Sequence, residues 1–395
     1  MFKTLHQVKK TLVFAFSLLV SLVASAQTQI TNEAELKAIA NDLSGSYVLA
    51  NDITLSGEWL PIGTSENPFT GTFDGAAHSI NGLTITSGAE NVGLFGFTNG
   101  AMLTNVRILG ANITGYKQAG ILAGQAIGST ITKVFTSGVL TGYDHIGGIV
   151  GDARGNADDG IVTTIENCMS IAGAFSSTHQ GGGIAGWTNA GVFTNVVFMG
   201  SATAPGNGVA GIVPIVDGGT AHISNSVGAP QALVGSVVSR THSIVGWNNN
   251  GSVVAENNIA SDATQIIVGG EPSDVATLSA DNPDFMGQLV SVDDLKKASS
   301  YTALGFDAAV WNLQDGNFPA LAGMTYPLKG DVVAVKALPQ KCIVDHTYES
   351  GARSAMNRQI TIVSDNPGVV AVEGSALKFV SIGSANITYT TEGDD

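Results

Sequence analysis

The chain has 395 residues, of which 44% are hydrophobic and only 12% charged, with a formal net charge of −15. That length accommodates two or three domains, and such acidity disfavours nucleic acid and anionic membranes as partners. Fifty glycines spread along the chain favour short strands joined by tight turns over long helices.

In chain order, residues 1–26 have the layout of a secretory signal peptide. Lys3, Lys9 and Lys10 make a positive start, Thr11 to Val23 is an apolar run too short for a comfortable membrane span, and Ala24-Ser25-Ala26 is a small-x-small cleavage site. The mature chain is expected to begin at Gln27, with no cysteine at the cut to carry a lipid. Cleavage leaves 14 basic and 32 acidic residues, a net charge of −18. No second long apolar run follows, so the expectation is Sec export to the cell surface or the medium, with no membrane span in the mature protein. Cys168 and Cys342 fall in separate predicted domains and are read as two free, buried thiols, with a single disulfide as the alternative in an exported chain.

Two phrases then recur in step. The first is Gly-apolar-x-Gly, at Gly93-Leu-Phe-Gly96, Gly120-Ile-Leu-Ala123, Gly148-Ile-Val-Gly151 and Gly183-Ile-Ala-Gly186, with degraded copies at Gly211-Ile-Val-Pro214 and Ser243-Ile-Val-Gly246. The second is apolar-x-Asn-apolar, centred on Asn105, Lys133, Asn167, Asn195, Asn225 and Asn257. Both advance by about 28 residues with the same drift. Val, Ile, Thr and Phe alternate between these marks, which is strand chemistry. A unit this short cannot bury its own apolar face, so the copies are expected to stack as a parallel β-solenoid with rungs roughly 4.8 Å apart. The glycines would let coils approach, and Asn would tolerate the turn dihedrals. Pro214 and Ser243 replace motif glycines, which predicts irregular last rungs.

The phrases "GLFG", "GGIVG" and "GGIAG" resemble the GLUG motif of bacterial surface and secreted proteins. The lead-in "ELKAIANDLSGSYVLANDITLSGEWLPIG", the phrase "PFTGTFDGAAHSINGLTI" and the closing "LGFDAAVWNLQDGNFPAL" resemble the same group. The resemblance covers most of 30–322 and implies the architecture; the family itself implies little about function beyond the cell surface.

Helical caps are expected at both ends. Asn32 and Glu35 form a capping box, with Leu36, Ile39, Ala40 and Leu43 on one face. Ser291 to Asp294 starts a second helix with Leu295 inward, and Trp311, Phe318 and Leu321 are expected to plug the last coil. After Pro327 the strictly alternating "ITIVSDNPGVVAVEGSALKFVSIGSANITYT" resembles a group 2 bacterial Ig-like domain, a spacer or adhesive module. Its final edge strand is expected to be missing after Ile387 to Thr391. The expected organisation is a signal peptide over 1–26, cap and entry coils over 27–92, repeats over 93–268, a closing segment over 269–328 and the Ig-like module over 329–395.

Solenoids of this kind include polysaccharide lyases and glycosidases, which need converging carboxylates or a base with Ca²⁺. The acidic group Asp152, Asp158, Asp159 and Glu166, with Arg154, lies in the longest step of the repeat. It reads as a solvated insertion, with Asp152, Asp158 and Glu166 as the catalytic candidates. "FDGAAH" (Phe73 to His78) reads as a turn held by Asp74 and Gly75. There is no His-Glu-x-x-His, no nucleophile elbow and no metal-type Cys spacing, so no cofactor or metal is expected.

The more informative pattern is columnar, because equivalent positions of successive coils become neighbours. Tyr116 and Tyr143 both follow Thr-Gly and lie 27 residues apart. Phe97, Trp187 and Trp247 follow the Gly-x-x-Gly phrase, where other copies carry Gln125 and Asp152. One reading is an aromatic ladder that seals a turn; the other is a glycan-stacking platform of Tyr116, Tyr143, Trp187 and Trp247, with Asp144, His145, His179 and Gln180 as polar contacts. The leading expectation is an adhesin-like binding protein without enzymatic activity that recognises a glycan or a host or extracellular protein. The alternatives are a polysaccharide-degrading enzyme and a structural spacer.

Overall fold

The computed structural model describes residues 27–155, 159–324, 333–334, 344–350, 353–354 and 360–391. Residues 1–26, expected above to be a signal peptide, Asp158 and Cys342 lie outside the described residues. The protein is nearly all β: a parallel β-solenoid in which successive coils stack in four sheets of nine, fifteen, six and five strands. One coil shows the pattern. Thr130–Thr132 lies in the nine-stranded sheet, Phe135–Gly142 in the fifteen-stranded, Asp144–Gly147 in the five-stranded and Val150–Arg154 in the six-stranded. Its inward side chains, Ile131, Val134, Leu140, Ile146, Ile149 and Val150, are wholly buried.

The two recurring phrases mark two local backbone demands. Asn105, Lys133, Asn167, Asn195, Asn225 and Asn257 all turn the corner between the nine- and fifteen-stranded sheets with φ between 51° and 55°. Asn is among the few residues that enter this left-handed region at small cost. The Asn257 amide also donates to Asn225 Oδ1 at 2.7 Å. The glycine phrase answers to stacking. A Cβ on Gly148 would fall 2.1 Å from the Gly183 carbonyl oxygen, one on Gly183 2.2 Å from that of Gly211, and one on Gly211 2.2 Å from that of Ser243.

The register shifts one repeat. Ala123 pairs with both Phe95 and Val150, so Gly124 is the partner of Gly96 and Gly151, and the copy runs over 121–124 rather than 120–123. Gly120 instead pairs with Gly147, the first glycine of the Gly147-Gly148 doublet. Pro214 disturbs its rung, having no N–H for the ladder: between Ala185–Thr188 and Val213–Asp217 only Thr188 and Val216 are partners.

At the N-terminal end Asn32 caps the helix as expected, its Oδ1 accepting from Glu35 N at 3.0 Å, but the Glu35 side chain completes no capping box: its Oε2 accepts from Thr31 N at 2.7 Å, one residue before the cap. Leu36 and Ile39 are buried, but Ala40 is exposed. The helix Glu33–Ala38 tightens to a 3₁₀ turn over Ile39–Asn41, and three residues per turn rotate Ala40 off the inward face.

The C-terminal end departs further from expectation. Ser291 Oγ caps Asp294 N at 3.0 Å, starting a 3₁₀ helix, Asp294–Lys296, with Leu295 buried. The last coil, however, is closed by the helices Val275–Asp281 and Pro283–Met286, whose Val275, Leu278 and Met286 join the solenoid core. Trp311, Leu321 and the partly buried Phe318 form a second core on the outside of the fifteen-stranded sheet. There the outward column Phe135, Met169, Val197, Val227 and Ile259 is apolar through five successive ladder partners, and 294–324 covers it. Arg107, next in that column, donates to the carbonyls of Ala322 and Gly323 at 2.8 and 3.3 Å. Trp311 Nε1 donates to Asn167 Oδ1 at 3.0 Å. The closing segment is thus a flank cover, required because these strands are apolar on both faces.

In the C-terminal region Ala376–Phe379 pairs antiparallel with Thr347–Glu349 and Val370–Glu373, and Ile360–Ser364 pairs antiparallel with Ile387–Thr391. These are small antiparallel sheets of the sort a β-sandwich uses.

Two substitutions test this account. Gly148→Ala should destabilise by about 1–3 kcal/mol, because the rung above must move, and thermal unfolding would register it. Trp311→Ala should remove about 3–5 kcal/mol from the flank; unchanged unfolding would mean that 294–324 does not cover an otherwise exposed apolar face.

Candidate functional site

One corner of the solenoid, leading into the five-stranded sheet, gathers most of the predicted side chains. Lys117 pairs with Asp144, and the register of the following strand sets Asp144 beside His179. One position earlier, Tyr143 N donates to the Tyr116 carbonyl at 2.8 Å. The two rings are therefore held one rung apart, stacked with centroids 4.9 Å apart and planes 27° from parallel. Tyr116 is 43% exposed, Tyr143 half-buried. Lys117 Nζ lies 5.7 and 5.9 Å from their centroids, within cation–π range.

The contacts continue without a gap. Tyr143 meets His179 edge-on at 5.8 Å, and His179 Nδ1 is 3.4 Å from Asp144 Oδ2. Asp144 Oδ2 is 3.8 Å from His145 Nε2, and His145 Nδ1 is 2.6 Å from Asp152 Oδ1. The other Asp152 oxygen takes Arg154 Nε and Nη2 at 2.9 and 2.6 Å. His145 and Arg154 both pack on Trp187, the imidazole nearly parallel to it at 5.8 Å and the guanidinium at 4.7 Å from the ring centroid.

This polar group has an internal logic. Asp152 is wholly buried in a column that also holds Phe97, Gln125, Trp187, Ile215 and Trp247. A buried carboxylate requires compensation, and His145 and Arg154 supply it. His145 turns its corner at φ 54°, in the place that Asn91 and Gln118 hold in the two preceding coils at 54° and 49°. Burial opposes its charge, but the hydrogen bond to Asp152 and the charges of Asp152 and Asp144 outweigh it, raising its pKa above the ordinary histidine value of 6.5.

Tyr116, Tyr143, Asp144, His145, His179, Trp187 and Asp152 are therefore contiguous. Trp247 is apart: Ile215 lies between it and Trp187 in the column, and Arg240 covers its ring at 3.7 Å. Glu166 is on the nine-stranded sheet, accepting from Asn167 Nδ2 at 3.1 Å, so it does not converge with Asp152, which lies on the six-stranded sheet. Asp74 Oδ1 holds the Phe73–His78 turn through Ala76 N at 2.8 Å. Among the described residues no group of three His, Cys, Asp or Glu is arranged to hold a metal ion. Cys168 is free and fully buried, and burial pushes its thiol pKa up to about 12. Sequence reasoning missed Lys117 and Arg240, whose roles depend on where long side chains reach.

The raised pKa fixes a sign. The ionic stabilisation from protonated His145 is complete below about pH 6.5, the ordinary value, and is lost as pH rises through the higher folded-state value. Urea midpoints of the wild type and His145→Asn, whose new side chain suits the left-handed corner, should therefore differ most at pH 5.5–6.5 and converge as the pH rises. A difference constant with pH would contradict the ion pair.

No family model matches the chain, and the GLUG and Ig-like resemblances rest on the phrases that carry them. The chain is similar to halomucin of Haloquadratum walsbyi, 36% identical over 147 residues, which is 33% of this chain and 2% of halomucin; the chain thus spans a small fraction of that relative's length. Among solved structures it is similar to a putative immunoglobulin A1 protease from Bacteroides ovatus, with a TM-score of 0.57 and 20% identity over 76% of this chain and 93% of that one. At that identity the likeness is one of fold: both chains are β-solenoids.

Proposed function

We propose that the protein is an exported, adhesin-like binding protein that recognises a glycan at the Tyr116–Tyr143 corner, with a GLUG-type solenoid as scaffold and an Ig-like module as spacer. The observation that carries this reading is the solvent-facing tyrosine stack, bordered by Lys117, Asp144 and His179. Tyrosine rings offer apolar faces to sugar rings, and the bordering groups offer hydrogen bonds to hydroxyls. The scaffold is rigid, so little ordering entropy opposes binding, and repeated display on a surface would raise avidity. The two tryptophans serve differently here, since His145, Arg154 and Arg240 already occupy their surroundings. An enzyme reading has less to stand on, because the Asp152 carboxylate is buried and bonded on both oxygens.

The test is a glycan panel probed with the protein from Gln27 onward, with reducing-end and unsaturated-uronate release assayed in parallel. Tyr143→Ala should weaken binding about tenfold, or ~1.4 kcal/mol, with unfolding unchanged. Product release, or binding indifferent to Tyr143→Ala, would overturn the proposal.

A further inference from the structure

The tyrosine corner continues one coil towards the N-terminus into a cleft of about 430 Å³, within the roughly 300–1,000 Å³ typical of small-ligand sites. The two are joined directly: Tyr116 N donates to the carbonyl of Ala89, which lines the cleft, at 2.7 Å. The pairing of Val92 with Ala119 sets Glu90 and Asn91, also in the lining, beside Lys117 and Gln118 of the next coil. A chain laid along the stack therefore runs into this cleft.

The lining makes three chemical demands. Leu60, 84% exposed, and Pro61 present an apolar wall. Glu58 and Glu90 supply carboxylate acceptors; Glu58 is held in place by Thr86 N and Oγ1 at 2.5 and 3.0 Å. Asn91 Oδ1 is buried and accepts no hydrogen bond, a condition that costs stability until a donor arrives. Trp59 cannot be that donor, because its Nε1 is committed to the Leu94 carbonyl at 3.0 Å.

We propose that the cleft binds the acetamido group of an N-acetylated amino sugar, placed at the end of a glycan that lies along the tyrosine stack; this rests on the glycan reading above. The methyl packs on Leu60 and Pro61, the ring hydroxyls donate to Glu58 and Glu90, and the amide N–H donates to Asn91 Oδ1 once that side chain turns out of its buried position. A bare ammonium can pair with Glu90, but it leaves Leu60 and Pro61 without an apolar group and Glu58 is already bonded to Thr86. A hydroxyl in the same place leaves that wall without an apolar partner.

The test uses three β-1,4-linked hexasaccharides that differ only at C2: hydroxyl (cello), ammonium (deacetylated chito) and acetamido (chito). The acetamido sugar should bind at least about tenfold more tightly than either of the others. Leu60→Ser, at an exposed position, and Asn91→Gly, which suits the φ of 54°, should each abolish that preference by bringing chito binding down to the level of the other two sugars. Tyr143→Ala should weaken all three sugars alike. Equal affinities, a preference for the amine, or an acetamido preference that survives both cleft variants would overturn the cleft proposal. In those cases a uniform loss in Tyr143→Ala would leave the stack reading standing; no binding of any of the three would overturn both.

Discussion

The rest of the structure depends on the contact between a glycine in one coil and a carbonyl oxygen in the next. At Gly148, Gly183 and Gly211 the oxygen of the following coil lies about where a side chain would begin. On these three rungs the coils can sit at β-ladder spacing only because the Cβ is absent. That steric condition fixes register, and register decides which residues meet. Tyr116 and Tyr143, 27 residues apart, and Asp144 and His179, 35 apart, become rung neighbours although the coils between them differ in length. Seven of the eight extra residues fall between Arg154 and Thr163, across which partners go from 27 to 34 apart, and the eighth falls between Ser176 and Gln180, so the corner takes up one added residue while its rungs stay paired.

Beside that apolar regularity, the third coil buries a carboxylate in a column that lies outside the solenoid core. Asp152 stands in a column whose other members are mostly apolar or aromatic. Burying it costs several kcal/mol before compensation, so the His145 and Arg154 bonds are a condition of folding here rather than an addition to it. The arrangement also reaches the surface. Asp144 Oδ1 accepts from His145 N at 3.0 Å, so the residue that faces His179 is tied to the buried group. The polar border of the tyrosine stack is thereby tied to a buried carboxylate on a strand, which gives that edge more rigidity than surface loops provide.

Much of this was legible because it follows local rules. Asn at φ near 54° and glycine where no Cβ fits leave marks at fixed intervals, and the tyrosine pair followed from the same interval. The one-residue error at Gly120 has a physical source: the corner carries a glycine doublet in coils three and four, and coil two keeps only its first member. The flank was not legible. Val134-Phe135, Cys168-Met169 and Val196-Val197 each place one side chain in the core and one outside it, and an apolar pair does not say which of its members needs a cover. Trp311 was correctly read as buried, but against the side of the solenoid rather than its end. The cation partners Lys117 and Arg240 also escaped, because ladder position does not reveal how far a long side chain reaches.

Aromatic columns on a solenoid corner are not equivalent, and their partners separate them. Trp187 lies against an imidazole and a guanidinium, and Trp247 lies under a guanidinium; a ligand would have to displace charged groups already bonded to Asp152 or Asn207. Tyr143 contributes one face to Tyr116, and Tyr116 is the end of that stack, exposed and adjoining the cleft around Leu60 and Asn91. Stacking one ring on another fixes both side chains before a ligand arrives, so little rotamer freedom remains to be lost on binding. On the proposed reading, the tyrosine end of the corner is therefore the end left open to a ligand, and the tryptophans pack against the coils that present it.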